Sequence, residues 1–290
     1  MNIVIASGKG GTGKTTVAVN LAYVASREGF KVSYVDADVD EPNGHIFLKP
    51  IINRSKPVEL LMPEVNMDKC IGCGKCGEIC QYGAIVYVGE KVEVFPRLCH
   101  GCGGCYLVCP TGAITEAPKK VGVIESGITS GDEPAGNFPF YQGILNIGEV
   151  STTRVIDDLI DEIPDDTTLN FIDAAPGTSC PMVRVAQEAD IVLLVTEPTP
   201  FGMSDLRLTI DIVKELKKPM LAFVNQYDIG QFNELQRYLQ LQRVPISGKL
   251  PHSRGIAQLY SEGLLIGKQL DWVYKVFKEL LDRVTSRIKG

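Results

Sequence analysis

The sequence predicts an α/β fold: a parallel sheet bearing a phosphate-binding loop, interrupted by a small cysteine-rich α+β module. Three observations lead to this. Continuous apolar runs alternate with amphipathic segments at both ends of the 290-residue chain, the pattern of a parallel sheet covered on both faces. Residues 8–15, GKGGTGKT, satisfy the spacing G-x-x-x-x-G-K-[ST]. Eight of the nine cysteines fall in two near-copies, CIGCGKCGEIC at 70–80 and CHGCGGCYLVC at 99–109.

Taken in order, NIVIAS is short and β-rich, TTVAVNLAYVASRE carries helical spacing at Val17, Leu21 and Val24, Gly29 stops it, and KVSYVD resumes extended structure. This reads as one βαβ unit with its two strands paired in parallel. From about residue 167 the alternation returns as LNFIDA, IVLLVTE, the helix-like MSDLRLTIDIVKELKK and PMLAFVNQ. A helix over about 231–242, a strand near VPISGKL and helices near 254–262 and 270–288 complete the chain. Segments 115–126 and 138–150 read as strands returning to the main sheet, with SGDEPAGN an exposed loop between them. The last helix places Trp272, Val276, Phe277, Leu280, Leu281 and Val284 on one side, a face for packing on the sheet rather than on a membrane.

Composition narrows the function classes. With 29 Lys+Arg against 35 Asp+Glu the net charge is −6 and no basic block stands out, so nucleic acid is not an expected partner. No run of about eighteen apolar residues suggests a membrane span. Met1 leads directly into IVIA without a secretory leader pattern, which makes the expected location the cytoplasm and metal a better reading of the cysteines than disulfides.

The loop lies between a predicted strand and a predicted helix, the context the motif requires. Gly8, Gly10, Gly11 and Gly13, with Thr12 and Thr16, allow backbone N–H groups to turn around phosphate oxygens at a helix N-terminus. Lys14 reaches the β and γ phosphates, and the Thr15 hydroxyl can ligate Mg²⁺. ATP or ADP with Mg²⁺ is the expected ligand. Asp36 and Asp38 in DADVDEPN, and Asp173 in DAAPGTS, close predicted strands at the end where ligands of α/β sheets bind.

Each cysteine run is C-x₂-C-x₂-C-x₃-C, and MDKCIGCGKCGEICQYGAI aligns with PRLCHGCGGCYLVCPTGAI at constant offset. Four-cysteine zinc sites also use C-x₂-C pairs and stand as the alternative. The duplicated spacing is similar to that of bacterial ferredoxins. That resemblance implies two [4Fe–4S] clusters, one held by Cys70, Cys73, Cys76 and Cys109, the other by Cys99, Cys102, Cys105 and Cys80. Cys80 departs from the ferredoxin pattern in being followed by Gln81, whereas Cys109 precedes Pro110. The ninth cysteine, Cys180, reads as a buried or switch-region thiol.

KGGTGKTT resembles the deviant Walker A motif of the MinD/ParA/Mrp ATPases, a group that includes the dinitrogenase iron protein. The resemblance implies a homodimer with ATP sandwiched between subunits, in which Lys9 crosses to the partner's nucleotide. It further implies that Asp38 orients or activates the attacking water, that Asp36 organises Mg²⁺ through water, that Asp173 is the Walker B carboxylate and that Asn225 reads the adenine edge. The chain as a whole resembles members of this superfamily with an inserted ferredoxin domain. On that basis residues 1–65 and 116–290 form the P-loop ATPase domain and 66–115 the insert.

The resemblance supports an ATPase that couples turnover to electron transfer through two clusters and serves a redox partner. An iron–sulfur cluster or metallocofactor assembly ATPase serving an acceptor protein is the alternative, and a redox-sensing positioning ATPase is a third reading.

Overall fold

The computed structural model describes residues 1–130, 137–164 and 169–287. In chain order the elements are β1 (Asn2–Ala6), α1 (Lys14–Arg27), β2 (Val32–Ala37), α2 (Gly44–Leu48), β3 (Pro50–Val65), α3 (Lys75–Ile79), β4 (Ile85–Val88), β5 (Lys91–Val94), α4 (Gly104–Leu107), β6 (Ile114–Thr129) and β7 (Pro139–Leu145). They continue with α5 (Thr152–Ile160), β8 (Leu169–Ala174), α6 (Cys180–Gln187), β9 (Ile191–Thr196), α7 (Pro200–Glu215), β10 (Met220–Val224), α8 (Phe232–Leu241), β11 (Ile246–Lys249), α9 (Arg254–Ser261), α10 (Ile266–Gln269) and α11 (Asp271–Ser286).

Among the described residues nine strands form one sheet in the order β11-β10-β9-β1-β8-β2-β7-β6-β3. From β11 to β7 every neighbour pair is parallel, whereas β6 and β3 add antiparallel at the end. The parallel α/β sheet predicted from the apolar runs is therefore present. One detail differs: β1 and β2 are not paired, because β8 lies between them. A βαβ pattern fixes relative direction but not adjacency, and the fully apolar β8 fills the gap from far along the chain.

The strands are buried on both faces, as predicted. Val4 and Ala6 meet α5 to α8 on one side, while Ile3 and Ile5 meet α1 and α11 on the other. Helix α11 buries Val273, Phe277, Leu280, Leu281 and Val284, with Phe277 stacked on Phe223 of β10 at 5.9 Å between centroids. At about 1.5–3 kcal/mol for each large apolar side chain, this burial decides for sheet packing. Val273 takes the inward position that the sequence pattern assigned to Trp272, which is 43% exposed. No helix among the described residues is long and apolar enough to cross a membrane.

Sequence reasoning passed over β3. Pro50, Pro57 and Pro63 interrupt it and its first residues are exposed. Both features suit its position as the edge strand, where a missing N–H costs no ladder bond and charges such as Arg54 and Lys56 blunt further pairing.

Strand β3 pairs with β6 from Pro50↔Thr129 to Val65↔Ile114, but β6 pairs with β7 only from Gly122↔Leu145 to Ile128↔Pro139. The outer part of the β3–β6 ribbon thus runs past the carboxyl end of β7. Asn66 N–H donates to Ala113 O at 2.8 Å across the ribbon tip, closing off segment 66–113. This segment contains α3, α4 and the β4–β5 hairpin, and projects at the carboxyl-end side of the parallel strands. The predicted loop SGDEPAGN falls mostly on 131–136, outside the described residues.

Candidate nucleotide and metal sites

Residues 7–13 link β1 to α1, with Gly13 as the N-cap of α1 at φ 88°. A Cβ at Gly13 would stand 2.4 Å from Asn225 Nδ2, so both the backbone conformation and the space exclude a side chain. Gly13→Ala is expected to reduce nucleotide affinity about tenfold or more by displacing the loop, measured by titration calorimetry with MgADP. The Ser7 hydroxyl donates to Lys9 O at 2.9 Å and Asn225 Nδ2 donates to Thr12 O at 2.9 Å, bracing the loop from either side. Asn225 Oδ1 accepts from Gln226 N–H at 3.0 Å, so the side chain predicted to read adenine is seated against the loop itself.

Beneath the loop is a buried charge cluster set by strand register. Asp36 of β2 lies beside Asp173 of β8, and Ile5 of β1 flanks Asp173 on its other side. Lys14 Nζ donates to Asp173 Oδ1 at 2.6 Å and lies 4.0 Å from Asp38 Oδ2. Burial lowers the Lys14 pKa, but the charge and hydrogen bond of Asp173, aided by Asp36 and Asp38, outweigh it and raise the pKa. Burial, followed by the charge of Asp173, pushes Asp36 up to about 7. Asp38 rises to about 6, first from burial and then from Asp173 and Asp40, against the pull of Lys14. Asp36 Oδ2 accepts from Gly44 N–H at 2.8 Å and Asn43 N–H at 3.0 Å, which ties the loop after β2 to this carboxylate.

Three members of the site were missed in the sequence. Tyr34 donates its hydroxyl to Asp173 Oδ2 at 3.1 Å. Glu197 is the ion-pair partner of Lys9. Gln142 stands in register with Asp36 on β7. Tyr34 lies two residues before Asp36 on the same strand face, and Glu197 closes an apolar strand as Asp173 does, so both signals were available. Gln142 has no local signal. Two buried side-chain atoms among the described residues lack a hydrogen-bond partner: Gln142 Oε1 and Thr12 Oγ1. An orphaned hydroxyl inside the loop suits a site that takes up an external polar ligand.

The eight clustered cysteines form two groups. Cys70, Cys73, Cys76 and Cys109 line one cavity. Cys80, Cys99, Cys102 and Cys105 line another. Each thus joins three cysteines of one run to the fourth of the other. Among the described residues no three of His, Cys, Asp or Glu gather as for a metal ion.

The repeated GAI finds its reason here. Gly83 and Gly112 adopt φ 61° and 62°, turning Ala84 N–H onto Cys80 Sγ at 3.3 Å and Ala113 N–H onto Cys109 Sγ at 3.2 Å. Burial opposes thiolate formation at both, yet these and neighbouring N–H groups pull the two pKa values below the usual thiol value. The two turns match although Gln81 stands where the second run has Pro110. Cys180 is exposed at the start of α6, which corrects the buried reading and leaves the turn after Asp173 as its setting.

A loop of this spacing between β1 and α1, with acidic strand ends beneath it, defines a P-loop nucleotide hydrolase on a parallel sheet. Residues 3–266 match the family described as CobQ/CobB/MinD/ParA nucleotide binding domain, and the chain belongs to that family. It is a P-loop ATPase. An uncharacterized protein of Methanocaldococcus jannaschii is 30% identical over 291 residues, covering 99% of this chain and 98% of its own. An iron-sulfur cluster carrier protein of Pyrococcus furiosus is 22% identical over 305 residues, covering 99% and 86%. The fold is similar to that of the septum site-determining protein MinD of Pyrococcus horikoshii, solved with Mg-ADP, at TM-score 0.58 and 17% identity over 98% of this chain and 95% of that one.

Proposed function

We propose that this ATPase controls a pair of [4Fe–4S] centres in a ferredoxin-like insert, and that nucleotide-dependent pairing of two copies gates electron delivery from them to a redox partner. The observation that carries this reading is the exchange of fourth cysteines between the two cavities. Two interlocked four-thiol sets, each with its exchanged cysteine stabilised by backbone N–H groups, suit resident clusters better than separate single-ion sites. Such clusters supply one-electron storage when bound. The chain's own part is to hold them with eight thiolates, and Cys109→Ser is expected to halve the iron per chain while Cys180→Ser leaves it unchanged, measured by iron and sulfide analysis.

At the nucleotide site, phosphate binding by the N–H groups of residues 8–16 exchanges the Lys14–Asp173 ion pair for a Lys14–phosphate contact. Asp173 is then free to serve Mg²⁺ together with Thr15 and, through water, Asp36. Asp38, at the edge of the same cluster, positions the attacking water.

Lys9 is held by Glu197 of its own chain. In the dimer it exchanges this partner for the nucleotide of the other subunit. Lys9→Ala is expected to abolish MgATP-dependent dimerisation while a single chain still binds nucleotide, as followed by light scattering.

A second reading is favoured by the printed name of the carrier relative: the clusters are cargo for an acceptor protein. Incubation of iron-loaded protein with an apo-acceptor separates the two. Retention of iron through reduction and reoxidation supports the redox reading, and transfer with loss of protein-bound iron supports the carrier reading.

A further inference from the structure

On the reading that both cavities hold clusters, we propose that the two centres are not equivalent: the Cys80, Cys99, Cys102 and Cys105 set responds to nucleotide more strongly than the Cys70 set. The path of packed groups from the ATP site reaches the first set through the middle of the β3–β6 ribbon, and reaches the second through the ribbon's tip and the cluster the two sets share.

The path begins at Asp38, which shares Lys14 with Asp173. Its neighbour Val39 is buried and accepts from Leu145 N–H of β7 at 2.8 Å. Val39 also covers Gly143 so closely that a Cβ there would stand 2.7 Å from Val39 Cγ1. Asn146 N–H then donates to Val121 O of β6 at 2.9 Å. At Val121 the β3–β6 ladder shifts register, with Val58 opposite Gly122 and Glu59 opposite Lys120. Irregularities of this kind re-aim a ribbon locally.

Val58, Val121 and Leu60 belong to the same core as Val39, and Cys99 packs against that core. Leu60 then meets the cysteine loop: a Cβ at Gly101 would stand 2.6 Å from Leu60 Cδ1. Leu61, Pro63 and Glu116 of the ribbon line this cavity directly. The Cys70 cavity touches the ribbon only at its tip, through Val65, Ala113 and Ile114, and otherwise meets the first set through the small cluster of Cys76, Ile85 and Ile114, against which Cys80 and Cys105 also pack.

When Lys14 leaves its carboxylates for phosphate, segment 38–39 loses a fixed neighbour. A close-packed chain of contacts transmits such a shift because it has no free volume to absorb it. The first centre therefore feels the nucleotide state through Gly101 and Cys99, and the second feels it less, because the shift reaches it only after the further step through the ribbon tip and the shared cluster.

Hydrogen exchange on iron-loaded protein, compared between MgADP and Mg²⁺ with a non-hydrolysable ATP analogue, tests this. Exchange in 98–108 is expected to differ about threefold or more between the two states, with 68–79 changing less than about twofold. Leu60→Ala, and the milder Leu60→Val should the first fail to fold, is expected to remove the difference at 98–108 while leaving hydrolysis in place. Equal responses in the two segments, or a response at 98–108 that survives both Leu60 substitutions, would overturn the coupling. A response at 98–108 in protein that takes up no iron would uphold the coupling and refute the cluster reading instead.

Discussion

Asp173→Ala is expected to lower the unfolding free energy of the nucleotide-free protein by about 3–5 kcal/mol, the usual cost of removing one partner of a buried ion pair. Lys14 is only 7% exposed, and its short contact is with this carboxylate. Asp38 at 4.0 Å compensates in part, which places the expectation at the lower end of that range. The substitution also strands the Tyr34 hydroxyl, whose acceptor is Asp173 Oδ2. Asp173→Asn keeps an oxygen for Tyr34 and should cost less. Hydrolysis is expected to fall about a hundredfold or more in both variants, because a preorganised charge at the phosphate site is gone. Urea unfolding and phosphate release measure the two effects, and an unchanged unfolding midpoint in Asp173→Ala would refute the central place of the ion pair.

The second large effect concerns pH. Asp36 titrates near 3.8 when unfolded and at about 7 in the fold, where burial and Asp173 favour its protonated form. Between those values the unfolded chain has released a proton that the folded chain retains, so stability falls as pH rises. The contribution is complete below pH 3.8 and is lost as pH passes through 7. Asp38, at about 6, acts in the same direction over a narrower window. In chelator, without nucleotide, the wild type should therefore lose stability between about pH 4 and 7, and Asp36→Asn should flatten that slope. Parallel pH profiles for the two proteins would show that Asp36 does not carry this pH dependence.

The parts of the molecule legible in the sequence are those whose cause is local. The spacing of GKGGTGKT and the apolar runs LNFIDA and IVLLVTE each encode their structure within a few residues, and the loop and strands lie where the patterns predict. The duplication of the cysteine runs announced a repeated unit, and the repeat extends to GAI because each copy turns an Ala N–H onto its fourth cysteine. What escaped depends on contacts remote in the chain. The insertion of β8 between β1 and β2 is set by strands far apart in sequence. Strand β3 was hidden by prolines that only an edge position tolerates. Gln142 gains meaning only from its register with Asp36, whereas Glu197 carried a local signal as an acidic strand end and lacked only its partner, Lys9. The projection of segment 66–113 at the carboxyl-end side follows from where β6 outruns β7, which no local pattern records.

The most direct test of the proposal that this ATPase governs paired cluster sites is electron paramagnetic resonance of the reduced, iron-loaded protein with and without MgATP. Two [4Fe–4S] signals per chain, at least one of which changes on adding MgATP in the wild type but not in Lys14→Ala, are the expected result. Absence of cluster signals, or spectra identical with and without MgATP in protein that hydrolyses ATP, would contradict it.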